Sequence, residues 1–341
     1  MPRIPVVFSL LAAVHVGAGC SAPREAAPPV ASVAAGGTSA GAVVHSATVT
    51  LPTRVTSLVA VNGSSSVAVG LGDGQVAIWT TTGAPVLMKP HDRSVLAVGS
   101  SKDGTEVWSL SEDGSLARTR TAAGASPVVV KVDLGPAPTR AAAFSADGAI
   151  LLTGGEFGDV RVFDTATGGL RHTLRGHRTE LQALAVRPGS TVAATASAEA
   201  DLRLWDVAAG TAITAIAQDL SLFAVAFSPR GGTLASGGVD RRVTLRDAAF
   251  ASTATVDLKA PLMVGALAWS PDGRFLAIGD IDDGTLARGG LRIVDATTRA
   301  AVATFDTGGV PPSALAFTGD GKVLVGVVGR DVRAWPVSQR N

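Results

Sequence analysis

A single cysteine, Cys20, serves the whole chain of 341 residues. That excludes an internal disulfide and a thiolate-built zinc centre. Tyrosine is absent and aromatics make up 4% of the residues, so the core is not built on large rings. Neither sign of charge is in surplus: 29 Lys and Arg face 28 Asp and Glu, a net of +1. The longest basic run is Arg241–Arg242. A near-neutral chain of this kind lacks the basic stripe that nucleic-acid binding requires. The five histidines, at positions 15, 45, 91, 172 and 177, offer no pair at metal-ligand spacing. No glycine-rich phosphate loop stands between a strand and a helix. Neither a metal nor a cofactor is expected. No helical period with caps is found after residue 45.

What the chain does contain is repetition. Seven times after residue 45 an apolar strand is followed by a tight turn, a second apolar strand, a Gly/Asp turn and a third strand. The third strands include VAIWT from Val76, VRVFD from Val160, LRLWD from Leu202, LRIVD from Leu291 and VRAW from Val332. Their Trp-like positions are Trp79, Thr119, Phe163, Trp205, Arg246, Val294 and Trp335. These recur at intervals near 40 residues, the mark of a repeat architecture. The first turns read SKDG from Ser101, SADG from Ser145, SPDG from Ser270 and TGDG from Thr318. Their closing glycine supplies the positive φ of a tight turn.

The repeat resembles the WD40 family. The resemblance covers residues 46–341 and implies an all-β fold: a seven-bladed β-propeller of four-stranded antiparallel blades. After Trp335 too few residues remain for an outer strand, and HSATVTL, residues 45–51, is a spare strand. It is expected to complete the last blade and close the ring. In WD40 proteins a buried His–Ser–Asp–Trp network often pins a loop to the blade. Blade four offers His177, Ser197 and Trp205, with Glu199 in the place of the acid, as its structural tetrad. His91, Ser111 and Asp113 form a partial copy in blade two.

The first nineteen residues predict a secretory signal. Met1–Arg3 is a short charged start, and Ile4–Val16 is apolar but short for a membrane span. GAGC ends at Cys20 and resembles the lipobox of bacterial lipoproteins, with Gly17 where that family usually has Leu. The resemblance implies cleavage before Cys20 and lipidation of it. Residues 20–45 are rich in Ala, Pro, Gly and Ser and predict a flexible tether. The protein is thus expected to be exported to the cell envelope, at the outer membrane or otherwise periplasmic or secreted, and held on the membrane through the lipid alone.

The resemblance also implies a face that meets partners, made of the links between blades and the turns between second and third strands. It is expected to carry Arg93, Arg140, Glu180, Leu222, Phe223, Leu262, Met263, Asp282, Asp283 and Arg288, with the two Leu, Phe223 and Met263 as an apolar patch. The long blade-six turn, GDIDDGTLARGG from Gly279, clusters Asp280, Asp282 and Asp283. Such carboxylates serve either as a solvated tip or as calcium ligands, without the spacing of a twelve-residue calcium loop. The first strands carry no His and no carboxylate to project into the central channel. The function expected is therefore a non-catalytic, monomeric scaffold for protein partners. The rival reading is an extracytoplasmic propeller enzyme, or a binder of small molecules such as a lactone or a quinone, using loops at the channel.

Overall fold

The computed structural model describes residues 33–35, 47–121, 126–258, 262–282 and 289–337. All described regular structure is β-strand. Residues 1–32, with the signal and Cys20, lie outside the described residues.

Two strands precede the first blade: β1 (Val33–Ala35) and β2 (Ala47–Thr50). Blade one is β3 (Val55–Ala60), β4 (Val67–Leu71), β5 (Val76–Trp79) and β6 (Val86–Met88). Blade two is β7 (Val95–Ser100), β8 (Glu106–Ser111), β9 (Ser115–Arg120) and β10 (Val128–Lys131). Blade three is β11 (Thr139–Phe144), β12 (Ile150–Gly155), β13 (Val160–Asp164) and β14 (Leu170–Leu174). Blade four is β15 (Leu181–Val186), β16 (Val192–Ser197), β17 (Asp201–Asp206) and β18 (Thr211–Ala217). Blade five is β19 (Leu222–Phe227), β20 (Leu234–Gly238), β21 (Arg242–Arg246) and β22 (Ser252–Asp257). Blade six is β23 (Leu262–Trp269), β24 (Phe275–Asp282), β25 (Gly289–Asp295) and β26 (Ala301–Phe305). Blade seven holds β27 (Pro312–Phe317), β28 (Val323–Val328) and β29 (Asp331–Pro336). Within each blade sequential strands pair antiparallel. The first strands touch in a ring, β3 to β7 and onward to β27, which returns to β3. The fold is a seven-bladed β-propeller.

Local chemistry sets the turns. In each Ser/Thr-x-Asp-Gly turn the Asp carboxylate accepts the N–H two residues on: Thr105 and Ala149 at 3.1 Å, Arg274 at 3.0 Å, Lys322 at 3.1 Å. The glycine after it has φ of 69–73°, a region costly for other residues. The Asp that ends the third strand does the same for the next turn. Asp164, Asp206, Asp247 and Asp295 accept from Ala166, Ala208, Ala249 and Thr297 at 2.9–3.0 Å.

Second strands are buried along nearly their whole length, β4 and β20 completely, because neighbouring blades cover both faces. The outer β18 is exposed almost throughout. The Trp-like position is buried in every blade, whatever residue fills it, Arg246 and Thr119 included. Blades approach closely at glycines. A methyl group on Gly70, Gly154, Gly237 or Gly279 of a second strand would overlap Val95, Leu181, Val264 or Pro312 of the next blade's first strand.

Closure follows the expected route. Ala47–Thr50 pairs antiparallel with β29, from Ala47↔Ala334 to Thr50↔Asp331. Thr50 Oγ1 donates to Asp331 Oδ1 at 2.8 Å. Val49 and Leu51 are buried with Trp79 of blade one and Val325 of blade seven. One feature differs from a structureless tether: Val33–Ala35 pairs with Val49–Ala47 as a fifth strand.

Deleting residues 46–51 removes the buried side chains of Val49 and Leu51 and uncovers the edge of β29. Each such aliphatic residue contributes about 1.5–3 kcal/mol, so a drop in stability of about 4 kcal/mol or more is expected in chemical denaturation. An unchanged unfolding midpoint would show that the ring does not depend on this strand.

Candidate functional site

Links between blades and turns between second and third strands share one face of the ring, since each blade runs down, up, down and up. Two buried imidazoles hold this face to the blades. In blade four, His177 lies in the link Arg175–Glu180. Its Nδ1 is 2.6 Å from Asp201 Oδ1 and its Nε2 is 2.7 Å from Thr195 Oγ1. The Trp205 indole N–H donates to the same Thr195 oxygen at 2.7 Å. Donor counting then fixes the protons. The Asp201 carboxylate only accepts, so Nδ1 carries the hydrogen given to it, and in the neutral ring Nε2 accepts from the Thr195 hydroxyl, which in turn accepts from the indole. Ser197 also donates to Asp201 Oδ1, and Arg203 Nε bonds Oδ2 at 2.7 Å. Burial lowers the His177 pKa against the opposing pull of Asp201. The ring is neutral.

Blade two repeats the device with other side chains. His91 Nε2 is 2.7 Å from Ser109 and Nδ1 is 2.6 Å from Ser115, which in turn donates to Asp113. Burial, opposed chiefly by Asp113, lowers the His91 pKa to about 4. Blade five uses neither ring. Arg246, in the Trp-like position, donates to Ser236 at 2.7 Å and to Gln218 at 3.2 Å.

The expected tetrad is therefore corrected in one member. His177, Ser197 and Trp205 come together, but the acid is Asp201, and Thr195 is the shared partner of both rings. Glu199 is exposed in the turn, and only its backbone N–H meets Ser197, at 3.3 Å. In blade two, Ser111 bonds the Arg93 carbonyl rather than His91.

The expected partner residues fare unevenly. Arg93 is exposed. Arg140 is half-buried, 3.1 Å from Glu156 and 3.9 Å from Glu180, so it ties blade three to the link into blade four. The apolar patch loses Leu222 and Met263 to the core. Leu222 is 1% exposed and Met263 6%, and Phe223 is half-buried. Leu222 starts β19 and packs inward on blade four with Leu202 and Leu204. The side chains of Leu262 and Asp282 lie outside the described residues, as do Asp283 and Arg288. Asp280 is 1% exposed and bonds Arg292 at 2.6 and 3.0 Å, so this carboxylate is committed to a guanidinium. Among the described residues no group of three or more His, Cys, Asp or Glu could hold a metal ion.

Sequence reading missed Phe157. It tips the second turn of blade three and is 71% exposed. Beside it lies a cleft of about 100 Å³, lined by Pro136, Thr153, Asp159 and Arg161 among others.

Three segments, residues 168–206, 214–247 and 256–287, match the WD domain, G-beta repeat family. These matches support the WD40 family. They run from the outer strand of blade three into blade six and include the Trp205 strand of the complete His177 network. Blade two, whose Trp-like residue is Thr119, carries a WD40-like imidazole network outside the matched segments. No curated protein matches the chain.

Two results are expected. Asp201→Asn weakens a buried, charge-assisted network and should cost about 1–3 kcal/mol, whereas Glu199→Gln at an exposed turn should stay within about 0.5 kcal/mol. Denaturant titration of both variants checks the choice of acid. The second concerns pH. The folded His91 pKa of about 4 lies below the unfolded value of 6.5, so the folded state binds fewer protons. Stability present above about pH 6.5 is lost as pH falls toward about 4, by about 2–3 kcal/mol. His91→Gln should flatten that part of the stability–pH curve. A wild-type curve already flat there would contradict the buried neutral ring.

Proposed function

We propose that this propeller is a non-catalytic scaffold for protein partners in the cell envelope, exported and held on the membrane by a lipid at Cys20. A WD40-like propeller supports a protein-interaction role in general. The observation that carries the reading here is how the face's reactive groups are used. His91, His177, Asp113 and Asp201 are consumed in internal networks, and the two imidazoles are neutral and buried. Among the groups the face presents outward are Arg93, Arg178 and Phe157, beside the exposed acids Asp92 and Glu199. Exposed charges of both signs and an aromatic on a fixed frame suit a protein surface better than they suit bond cleavage. Export and anchoring rest on the apolar stretch Ile4–Val16 and on the small residues before the lone Cys20. Two or more acyl chains suffice for stable anchoring. A monomer on its tether completes the reading.

The experiment compares the two faces. Crosslinked partners are recovered from membrane extract with the full chain, then with Arg93→Glu and Arg178→Glu on the link face. Arg230→Glu and Lys322→Glu, exposed in first turns at the opposite end, serve as controls. Loss of the link-face charges should lower recovery about tenfold, equivalent to about 1.4 kcal/mol, and the controls should not. Equal recovery by all four variants would refute a partner on this face. Cys20→Ser should move the protein into the soluble fraction. A wild-type mature terminus free of lipid by mass spectrometry would overturn the anchor.

A further inference from the structure

One position recurs in every blade: the second-strand residue that pairs with the residue two before the Trp-like position. It is Val69, Ser109, Thr153, Thr195, Ser236, Ile278 and Gly326 in blades one to seven. Four of these carry a hydroxyl, and all four are buried, none more than 2% exposed. Three of the hydroxyls have a nitrogen partner from their own blade or its link: Ser109 has His91, Thr195 has His177 and Trp205, and Ser236 has Arg246. Thr153 is the exception. Its Trp-like neighbour is Phe163, which has no N–H. The link into blade three, residues 132–138, contains no histidine. Gly135 lies against the Arg161 guanidinium as Gly176 lies against that of Arg203, but Pro136 follows Gly135 where His177 follows Gly176. Thr153 thus lacks the nitrogen partner that its three counterparts have, and it lines an open cleft instead.

The space left open is the cleft beside Phe157. Thr153 and Asp159 both line it, and they match Thr195 and Asp201, the two groups that grip the His177 ring. The register proves the match: Thr153 pairs with Arg161, and Thr195 with Arg203, with the Asp two residues before each Arg. Pro136 and Leu134 supply apolar wall, and Phe157 stands at the rim. About 100 Å³ is the room of roughly three waters, enough for a five-membered ring. Arg161 also lines the cleft, its guanidinium tied to the Asp133 carbonyl at 3.2 Å. A lysine or arginine entering would meet that fixed cation, whereas a neutral imidazole would not. The imidazole both donates to a carboxylate and accepts from a hydroxyl, as it does in blade four.

We propose that the blade-three cleft is a socket for an imidazole, taken from a histidine side chain of a protein partner. The proposal rests on the scaffold reading above and names one contact within it. The partner's ring enters from the link face, gives its Nδ1 hydrogen to Asp159 and takes the Thr153 hydroxyl hydrogen at Nε2. Phe157 covers it at the rim.

The test uses the full chain and defined probes at a pH where imidazole is neutral, about pH 8. Imidazole and the blocked tripeptide acetyl-Ala-His-Ala-amide are titrated against backbone amide resonances, with acetyl-Ala-Lys-Ala-amide as the comparison. Saturable shifts at Gly155, Asp159 and Arg161 are expected with the first two probes and not with the lysine peptide. Thr153→Val and Asp159→Asn should each weaken binding by about fivefold. Pro136→His places a ring after Gly135 as in blade four; it should raise the melting temperature and abolish imidazole binding. No saturable shift, or equal shifts in wild type, Thr153→Val and Asp159→Asn, would overturn the socket. So would equal binding of the lysine peptide. Failure of the scaffold reading shows elsewhere, as partner recovery indifferent to Arg93→Glu and Arg178→Glu, so the two outcomes separate.

Discussion

At four of the seven junctions, adjacent blades meet where the start of one inner strand presses onto a glycine of the blade before it. The residue must be small because the two sheets approach within van der Waals contact, and packed interiors tolerate little misfit. Val95, Leu181, Val264 and Pro312 are the knobs, and Gly70, Gly154, Gly237 and Gly279 the holes. The rest of the ring depends on this approach. It buries second strands on both faces, so most of their residues are apolar or small. Leu222 opens its inner strand packed on Leu202 and Leu204 of blade four, so it is hidden rather than presented to partners. In blades two, four and five a short polar device pins the link to the blade.

Those devices differ from blade to blade while the position they serve stays the same. A histidine meets a Ser pair in blade two, and a Thr–Asp pair in blade four. A buried arginine spans the gap in blade five. Blade seven does without: Gly326 stands at the hydroxyl position, and the buried Trp335 N–H has no hydrogen-bond partner among the described residues. Apolar packing around Trp335, with Phe305 at 6.0 Å between ring centroids, holds that blade. An unmade bond of this kind costs about 1–3 kcal/mol, tolerable in a ring with seven blades sharing the load.

The blade count, the strand order and the closing strand were legible in the sequence because they rest on period and punctuation. Apolar runs of fixed length between Asp-Gly turns leave few other arrangements. The imidazole network was legible in outline only. Glu199 stands where the resemblance places the acid. The signal against it was alternation: Asp201, Arg203 and Trp205 sit two apart on one strand and share a face, as do Thr195 and Ser197 on the next. Glu199 precedes that strand and inherits no such direction. The apolar patch loses Leu222 and Met263 for a different reason. Whether Leu222 opens a buried strand or ends an exposed link depends on the neighbouring blade, which no local pattern reports. The blade-three cleft left only a faint trace, a Pro after Gly135 where a His follows Gly176.

The shared closing sheet sets the order in which this chain can mature. Thr50 and Asp331 are 281 residues apart yet hydrogen-bonded. During synthesis, Ala47–Thr50 is made early and waits for its only inner-side mate until the last blade has emerged. Contacts of such long sequence separation form late and slowly. Six blades can pair locally in the meantime, each a run of sequential hairpins, but the ring stays an open arc with two raw edges. Val33–Ala35, paired on the far side of Ala47–Thr50, shields one flank of that waiting strand. Completion is thus a single late event at one seam, and a truncated chain is left as an unsealed arc rather than a smaller ring.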